Sequence, residues 1–231
     1  MSRRFIFFAV VLLALALPLI FVKAADNNSA TDESGFVPIF NGKDLTGWKY
    51  GLWDREQNKV GKGYAVKDGV IYCTPTDSGD LYTEKEYSDF VLRFEFKLTP
   101  NANNGIGIRS PAQGDAAYTG MEIQVLDDSG SWYTHLHPWQ YHGSIYDVVP
   151  AKRGHLKPVG EWNSEEISAI GRQIKVTLNG AVIVDANLDD VKDPNVLRFH
   201  SGLKRKSGHI GFLGHQSRVE FRNLRIKDLS K

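Results

Sequence analysis

The sequence has a single cysteine, Cys73, so no internal disulfide can form. It also lacks an excess of either charge, because 28 Lys and Arg residues balance 27 Asp and Glu residues and the basic ones are scattered. We therefore expect no nucleic-acid surface, and a substrate that is neutral or weakly charged. Cys73 alternates with apolar residues, which predicts a buried small side chain and not a nucleophile.

Helical periodicity, heptads and internal repeats are missing as well. The sequence contains no H-E-x-x-H motif and no paired cysteines, the compact signatures of a metal site. No cofactor is indicated with certainty. The sequence leaves open a divalent cation held by groups from separate strands, with His137 and His142 as loop histidines that could bind it.

The N-terminal residues have the pattern of an export signal. Ser2, Arg3 and Arg4 make a positive start, and an almost purely apolar run follows from residue 5 to residue 22. This pattern predicts a signal peptide over residues 1–24 and a periplasmic or secreted protein with no stable membrane association after cleavage. An uncleaved membrane anchor is the alternative, since about 18 apolar residues suffice to span a bilayer. Residues 25–35 are polar and predict a disordered linker, which leaves residues 36–231 as one domain.

Short alternating segments dominate the rest of the chain. The clearest covers residues 89–99, where every second residue is Phe or Leu, and Asp68-Gly69 and Asn179-Gly180 each mark a tight turn between two strands. Many short strands with frequent turn signals predict an all-β sandwich of two antiparallel sheets.

One strand places polar groups side by side. From Met121 to Val125 apolar residues alternate with Glu122 and Gln124, so carboxylate and amide share one sheet face. The alternation slips at Leu126, and a β-bulge there would bring Asp127 onto the same face. A solvated outer face is the plain alternative.

Two other strands send polar groups to the same predicted face. Arg109 and His215 lie opposite the inward residues of their strands, and Gly107 leaves a flat place where a ligand could approach. We therefore predict a groove that joins Arg109, Glu122 and His215. The alternatives are an ion pair between Arg109 and Glu122 that only holds strands together, and a structural role for His215.

Residues 129–158 form a long segment without regular alternation and rich in Trp, Tyr and His. Loops of this length are uncommon unless they are functional. Its aromatic residues either line a sugar site or anchor the loop to the core, and Tyr146 could serve either purpose.

The chain resembles the 3-keto-disaccharide hydrolase family, whose members are also described as 3-keto-glucoside 1,2-lyases and 3-keto-2-hydroxy-glucal hydratases. The motifs that carry the resemblance include F-N-G-K-D-L-T-G-W at 40–48 and G-H-I-G-F-L-G-H at 208–215. The others lie at residues 81–84, 87–90, 104–109, 120–127, 143–146 and 160–163. The resemblance implies a concanavalin A-like jelly roll with a concave sugar-binding face, and a hydrolase or lyase acting on 3-keto-glycosides or 3-keto-disaccharides.

Cleavage beside a C3 ketone needs a base at C2, a donor at the C3 oxygen and an acid for the leaving oxygen. We expect Glu122 or His215 as the base, Arg109 as the group that stabilises the enolate, alone or with a divalent cation, and Tyr146 or Asp127 as the acid. Residues expected to bind substrate are Tyr118, Gln124, His142, Trp162 and Asn163.

Two other functions stay open. The first is a non-catalytic carbohydrate-binding module. The second is a direct retaining glycosidase, because residues 122–127 are similar in spacing to the E-x-D-x-x-E strand of laminarinase-like enzymes. In this chain Gln124 replaces the middle Asp of that pattern and Asp127 replaces the last Glu.

Overall fold

The computed structural model describes residues 32–54, 59–60, 62–75 and 79–230. The predicted signal peptide and most of the predicted linker lie outside the described residues. Contacts divide the chain into residues 1–33 and a compact unit of residues 34–231, and the following description concerns the second unit.

The unit contains fifteen described strands and two short helices. The strands are β1 (Val37–Pro38), β2 (Trp48–Tyr50), β3 (Leu52–Asp54), β4 (Lys59–Val60), β5 (Tyr64–Lys67), β6 (Val70–Cys73), β7 (Gly79–Tyr87), β8 (Phe90–Leu98), β9 (Asn103–Ser110), β10 (Met121–Leu126), β11 (Trp162–Ile170), β12 (Gln173–Leu178), β13 (Ala181–Asn187), β14 (Gly208–Gly214) and β15 (Val219–Asp228). The helices are α1 (Ala116–Thr119) and α2 (Pro194–Phe199), and 3₁₀ turns lie at Ser131–Tyr133, Pro138–Gln140, Leu188–Asp190 and Ser201–Lys204.

Two antiparallel sheets form a sandwich. The first has the order β13-β12-β11-β8-β15-β6-β5, with β1 beside β15, and the second has the order β10-β9-β14-β7-β2. A separate ladder joins β3 to β4. This architecture confirms the predicted all-β jelly-roll sandwich. No described helix is long and apolar enough to cross a membrane.

The core lies between the sheets, where the alternating side chains of each strand meet. On β8 every second side chain from Phe90 to Leu98 is buried. The side chains between them, such as Arg93, lie on the outer face of the sheet. On β15 the pairing shifts between Arg222 and Arg225, so Leu224 and Ile226 return to the core after the shift. Cys73 is buried, as predicted. Strict alternation therefore decides which face of each strand enters the core.

Both predicted tight turns are present. Asp68 and Gly69 have φ values of 51° and 77°, and Asn179 and Gly180 have values of 50° and 85°. Two consecutive left-handed residues give the turn twist that joins adjacent antiparallel strands, and Asn, Asp and Gly tolerate it best. These turns connect β5 to β6 and β12 to β13.

The long aromatic segment is ordered and covers the edge of the second sheet. The backbone N–H of Gly143 donates to Gln124 O at 2.7 Å, and that of Gln124 donates to Ser144 O at 3.0 Å. The N–H of Tyr146 donates to Glu122 O at 2.9 Å. Residues 143–146 therefore pair with β10 and fix side chains of the segment above the outer face of that sheet.

Candidate active site

A cavity of about 350 Å³ lies on the outer face of the second sheet, and we name it the polar cavity. Strands β7, β9, β10 and β14 form its floor, while α1 and the long aromatic segment form its walls. The lining residues are Gly79, Asp80, Asn103, Gly114, Asp115, Ala116, Ala117, Tyr118, Glu122, Gln124, Leu126, Tyr133, Leu136, Gln140, Tyr146, Leu213, Gly214 and His215.

Strand alternation places Glu122 and Gln124 in this cavity, as the sequence predicts. A glycine makes room for the carboxyl group, because a Cβ atom on Gly105 would overlap Glu122 Oε1. Gly105 lies on β9 beside the strand that carries Glu122. The backbone of β9 therefore shapes the place that the Glu122 side chain occupies.

The surroundings of Glu122 favour the protonated form of its carboxyl group at neutral pH. Burial raises the pKa of its carboxyl group to about 8, and the neighbouring charges of Asp115 and Asp80 raise it further in the same direction. Exchanging the oxygen and nitrogen of the Gln124 amide satisfies both atoms, and in that orientation the nitrogen donates to Glu122 Oε1 and to the backbone oxygen of Asn104, each at 3.2 Å. A buried carboxylic acid held beside an amide can donate a hydrogen bond to a bound ligand.

His215 lies at the mouth of the polar cavity, at the end of β14, with its side chain accessible to solvent. The surrounding protein lowers the pKa of its imidazole, and Asp115 opposes this shift only in part. The imidazole is therefore neutral at pH 7, with one nitrogen able to accept a proton.

Two tyrosines complete the upper wall. The hydroxyl of Tyr146 accepts a hydrogen bond from Gln140 Nε2 at 3.0 Å, so its own proton can be donated towards the cavity. The ring of Tyr118 packs on His200 with 4.8 Å between ring centroids. Burial raises the pKa of Tyr118, which keeps its phenol protonated.

Arg109 does not lie in the polar cavity. The prediction that Arg109, Glu122 and His215 share one groove is therefore wrong for Arg109, although Glu122 and His215 do line the same cavity. Arg109 has a φ of 48°, and the pairing of β9 with β14 shifts beside it. Its buried guanidinium donates to Ser88 O at 3.0 Å, to Gly171 O at 2.8 Å and to Asp89 Oδ1 at 3.2 Å. The local irregularity turns this side chain away from the face that alternation predicts, which also excludes an Arg109–Glu122 ion pair.

Asp127 also lies outside the polar cavity, because the predicted β-bulge is absent. The register of β10 with β9 is regular through Leu126, and Leu126 itself lines the cavity after Glu122 and Gln124. Asp127 instead accepts hydrogen bonds from Asn101 N, Ser129 N and Ser129 Oγ. It stabilises two turns, and its placement argues against a pair of catalytic carboxyl groups of the laminarinase type.

Three residues predicted to bind substrate are elsewhere. His142 is buried, with Nε2 3.0 Å from Glu165 Oε2 and its ring beside Phe96. Trp162 lies under the cations of Lys97 and Arg222 on the first sheet.

Asn163, the third of them, is buried and accepts hydrogen bonds from Lys157 N and Asn179 Nδ2, each at 2.9 Å. None of the three lies in the polar cavity, because β11 belongs to the opposite sheet and the His142 side chain enters the core.

Several cavity residues were missed by the sequence reading. Asp115 caps the N-terminus of α1, where its Oδ1 accepts from Ala117 N at 3.2 Å, and Asp80 Oδ2 accepts from Tyr82 OH at 2.9 Å. Tyr133 and Gln140 come from the 3₁₀ turns of the long segment. Neither Asp80, the second residue of β7, nor the turn residues had a local sequence signal that would place them in this cavity. In the part of the chain that the structure describes, no three His, Cys, Asp or Glu side chains converge as a metal site would require.

Comparison with known proteins gives concordant results. A 3-keto-disaccharide hydrolase from Bacteroides thetaiotaomicron is 26% identical over 268 aligned residues, which cover 90% of this chain and 84% of that protein. Two crystal structures from Parabacteroides distasonis, both provisionally named glycosyl hydrolases, are also similar. One has 28% identity and a TM-score of 0.69, covering 85% of this chain and 94% of the other. The second has 26% identity and a TM-score of 0.70, covering 84% and 99%.

A family description, the 3-keto-alpha-glucoside-1,2-lyase-like domain, matches residues 35–227. This range includes every strand of both sheets except the last residue of β15, and every residue that lines the polar cavity. The chain belongs to the 3-keto-alpha-glucoside-1,2-lyase-like domain family.

Proposed function

We propose that this protein is an exported enzyme that cleaves 3-keto-glycosides by proton abstraction at C2 and β-elimination at C1. One observation carries the proposal: a single sugar-sized cavity holds an uncharged carboxyl group, Glu122, and a neutral imidazole, His215. The family and the Bacteroides relative support a 3-keto-sugar as substrate.

The substrate chemistry explains why such a pair is useful. A ketone at C3 makes the C2 hydrogen acidic, because its removal leaves an enolate. The electron pair then expels the C1 oxygen, forms the C1–C2 double bond of a glucal and restores the ketone, while the departing oxygen takes a proton. Addition of water across that double bond gives net hydrolysis.

His215 is the base in this proposal. Its neutral imidazole can take the C2 proton, and its place at the cavity mouth lets the resulting charge contact solvent. A protonated Glu122 cannot act as a base without first losing its proton.

Glu122 is the donor to the C3 oxygen, where negative charge develops as the C2 proton leaves. A buried carboxylic acid is a stronger donor than water, and the Gln124 amide beside it can fix its orientation. This role replaces the one that the sequence reading gave to Arg109.

Tyr146 is the acid for the leaving oxygen. The hydrogen bond from Gln140 occupies the phenol oxygen as acceptor and directs its proton elsewhere. Tyr118 and Gln124 contact the sugar ring in this arrangement, since both line the same cavity.

The test is turnover of 3-keto-trehalose and methyl 3-keto-α-glucoside, followed by the ultraviolet absorbance of the conjugated glucal, with and without EDTA. We expect turnover by the wild type. We expect a loss of about 10²–10³ in kcat in His215→Asn, the usual effect of removing a catalytic base or donor. His155→Asn, an exposed histidine far along the chain, is the matched control and should retain full rate.

Sugar binding without any turnover by the wild type would contradict the proposal and favour a carbohydrate-binding module. A release of sugar from ordinary glycosides that lack the ketone would instead favour a direct glycosidase.

Export is the part of the proposal that rests on the sequence alone. The positive start and the apolar run of residues 5–22 support cleavage after Ala24 or Ala25. Mass spectrometry of the protein recovered outside the cytoplasm should show a mature chain beginning at residue 25 or 26. An intact N-terminus in that fraction would contradict cleavage.

A further inference from the structure

A second cavity of about 800 Å³ lies beside the polar cavity, and we name it the apolar cavity. Half of its lining residues are aromatic or aliphatic, among them Trp139, Val148, Val149, Val196 and Phe199, and the other half are polar or charged. Phe199 is 59% exposed, so its ring is accessible to a ligand that enters this cavity.

The two cavities are separated by a wall one residue thick. Tyr118 lines both of them. Two pairs of consecutive residues are also divided between the cavities: Gln140 and Tyr146 line the polar one, and their neighbours Trp139 and Asp147 line the apolar one. A ligand that fills the first cavity and extends past Tyr146 therefore enters the second.

Most polar groups around the apolar cavity are already engaged. Asp193 accepts from Asn195 N at 2.8 Å, and Asp185 accepts from Gln173 Nε2 at 2.6 Å. Asn187 accepts from Asp189 N at 2.9 Å.

Asp147 Oδ2 lies 3.7 Å from Nε2 of the buried His200, and the Asp147 side chain is 40% exposed. The cavity offers a ligand more hydrocarbon than polar surface, although Asp190, Lys192 and Asn195 also line it. A phenyl or bulky aliphatic group can pack on that hydrocarbon, whereas each hydroxyl of a second sugar ring would need its own hydrogen-bond partner.

We propose that the apolar cavity binds the leaving group of the substrate, and that this group is an aromatic or bulky aliphatic alcohol instead of a second sugar. The inference rests on the function proposed above. In that mechanism Tyr146 donates to the leaving oxygen, and the next residues along the chain, from Asp147 to Val149, line the apolar cavity. The group attached to that oxygen therefore lies against Val148, Val149 and Phe199.

The experiment compares three substrates with the same oxidised sugar: methyl 3-keto-α-glucoside, benzyl 3-keto-α-glucoside and 3-keto-trehalose. All three have aliphatic leaving oxygens, which limits differences in leaving-group acidity. For the wild type we expect kcat/KM to be at least about tenfold higher for the benzyl compound than for the methyl compound, because burial of a phenyl ring is favourable.

Variants of α2 locate the effect. Phe199→Ala should lower kcat/KM for the benzyl substrate about tenfold and leave the methyl substrate unchanged. Val196→Trp, which fills the cavity, should do the same. Leu197→Ala is the matched control, since Leu197 is an exposed apolar residue of the same helix that does not line the cavity.

Each outcome separates the two proposals. Turnover of the methyl substrate without a benzyl preference, or equal losses for both substrates in Phe199→Ala, would overturn the leaving-group site and leave the proposed function intact. If no substrate is turned over, binding of benzyl alcohol alone, measured by saturation-transfer NMR, still decides the inference. A signal that disappears in Val196→Trp supports an apolar ligand there, and an unchanged or absent signal overturns it.

Discussion

At Glu122, burial and two neighbouring carboxylates all favour the protonated form of the carboxyl group. Desolvation disfavours the charged form, and Asp115 and Asp80 add repulsion, so the pKa of the carboxyl group rises to about 8. At His215, which lies at the cavity mouth, desolvation by the surrounding protein favours the neutral imidazole and lowers its pKa. The two groups are thus both uncharged over the interval between their pKa values, with opposite capacities: one donates a proton and the other accepts one.

A bell-shaped dependence of kcat/KM on pH follows from this pair. The rate should fall above about pH 8, where Glu122 loses its proton, and fall again at acidic pH, where His215 gains one at a pKa below 6.5. Glu122→Gln, which keeps a donor but cannot ionise, should lower kcat and abolish the alkaline limb. Glu84→Gln, on an exposed part of β7, is the control and should retain both limbs. An alkaline limb that persists in Glu122→Gln would assign that ionisation to another group.

Gly105 gives a second prediction at the residue scale. Gly105→Ala places a Cβ atom where the Glu122 carboxyl group lies, so that side chain must move. We expect kcat to fall about tenfold or more with a loss of stability on the order of 1–3 kcal/mol, typical of an overpacked site. Gly107→Ala, on the same strand, meets the flexible end of Leu213 at 3.3 Å and Ala116 Cβ at an ordinary contact distance of 3.5 Å, so it should have a much smaller effect on kcat. Equal rates in the two variants would contradict the proposed position of Glu122.

Among the elements, the long segment between β10 and β11 contributes most to the site without having a regular pattern. Its residues 143–146 pair with β10, and this pairing fixes Tyr146 above Glu122. Gly143 adopts a φ of 78°, and a Cβ atom there would overlap Ile183. Glycine is thus required at this position for both backbone conformation and close packing.

Gly143→Ala should therefore reduce stability by about 2–4 kcal/mol and lower kcat per folded molecule, because Tyr146 shifts. Gly180→Ala is the matched control. Gly180 has a similar φ of 85° but nothing within 4 Å of its Cβ position, so only the cost of the left-handed conformation, about 1 kcal/mol, should appear. Urea unfolding measures the loss of stability, and active-site titration gives kcat per folded molecule. A normal kcat in folded Gly143→Ala would contradict the proposed role of this segment in positioning Tyr146 for catalysis.

The elements also show what a sequence can and cannot predict. Regular alternation correctly placed the core face of β8 and the outward positions of Glu122 and Gln124, because period-two geometry leaves no other choice. Arg109 was misplaced since its left-handed φ breaks that period, and single-residue irregularities leave no reliable trace in composition. Asp80 and Asp115 join Glu122 through pairing between distant strands and through α1, which local patterns do not encode.

For the whole molecule, Arg109 is a connection between the sheets. It belongs to β9 of the second sheet, and its guanidinium bonds to the β7–β8 turn at Ser88 and Asp89 and to the β11–β12 turn at Gly171. Three acceptors from two turns thus converge on one buried cation. Breaking such a buried network leaves unpaired polar groups and is strongly destabilising.

Arg109→Met should lower the free energy of unfolding by about 3–5 kcal/mol while kcat per folded molecule stays near that of the wild type. Arg153→Met is the control, because the Arg153 side chain is about half exposed and lies 3.6 Å from Asp128, and such a surface pair contributes about 0–1 kcal/mol. Urea denaturation gives both values. An Arg109→Met protein that is stable but has lost turnover would instead show that Arg109 is needed for catalysis.

The pairing of residues 143–146 with β10 has a consequence for solubility. β10 is the terminal strand of the second sheet, and an uncovered terminal strand offers unpaired N–H and C=O groups to strands of other molecules. Here the segment that carries Tyr146 occupies those groups. Changes that loosen it are therefore expected to promote intermolecular β-association and aggregation, so protection against self-association and the upper wall of the cavity depend on the same four residues.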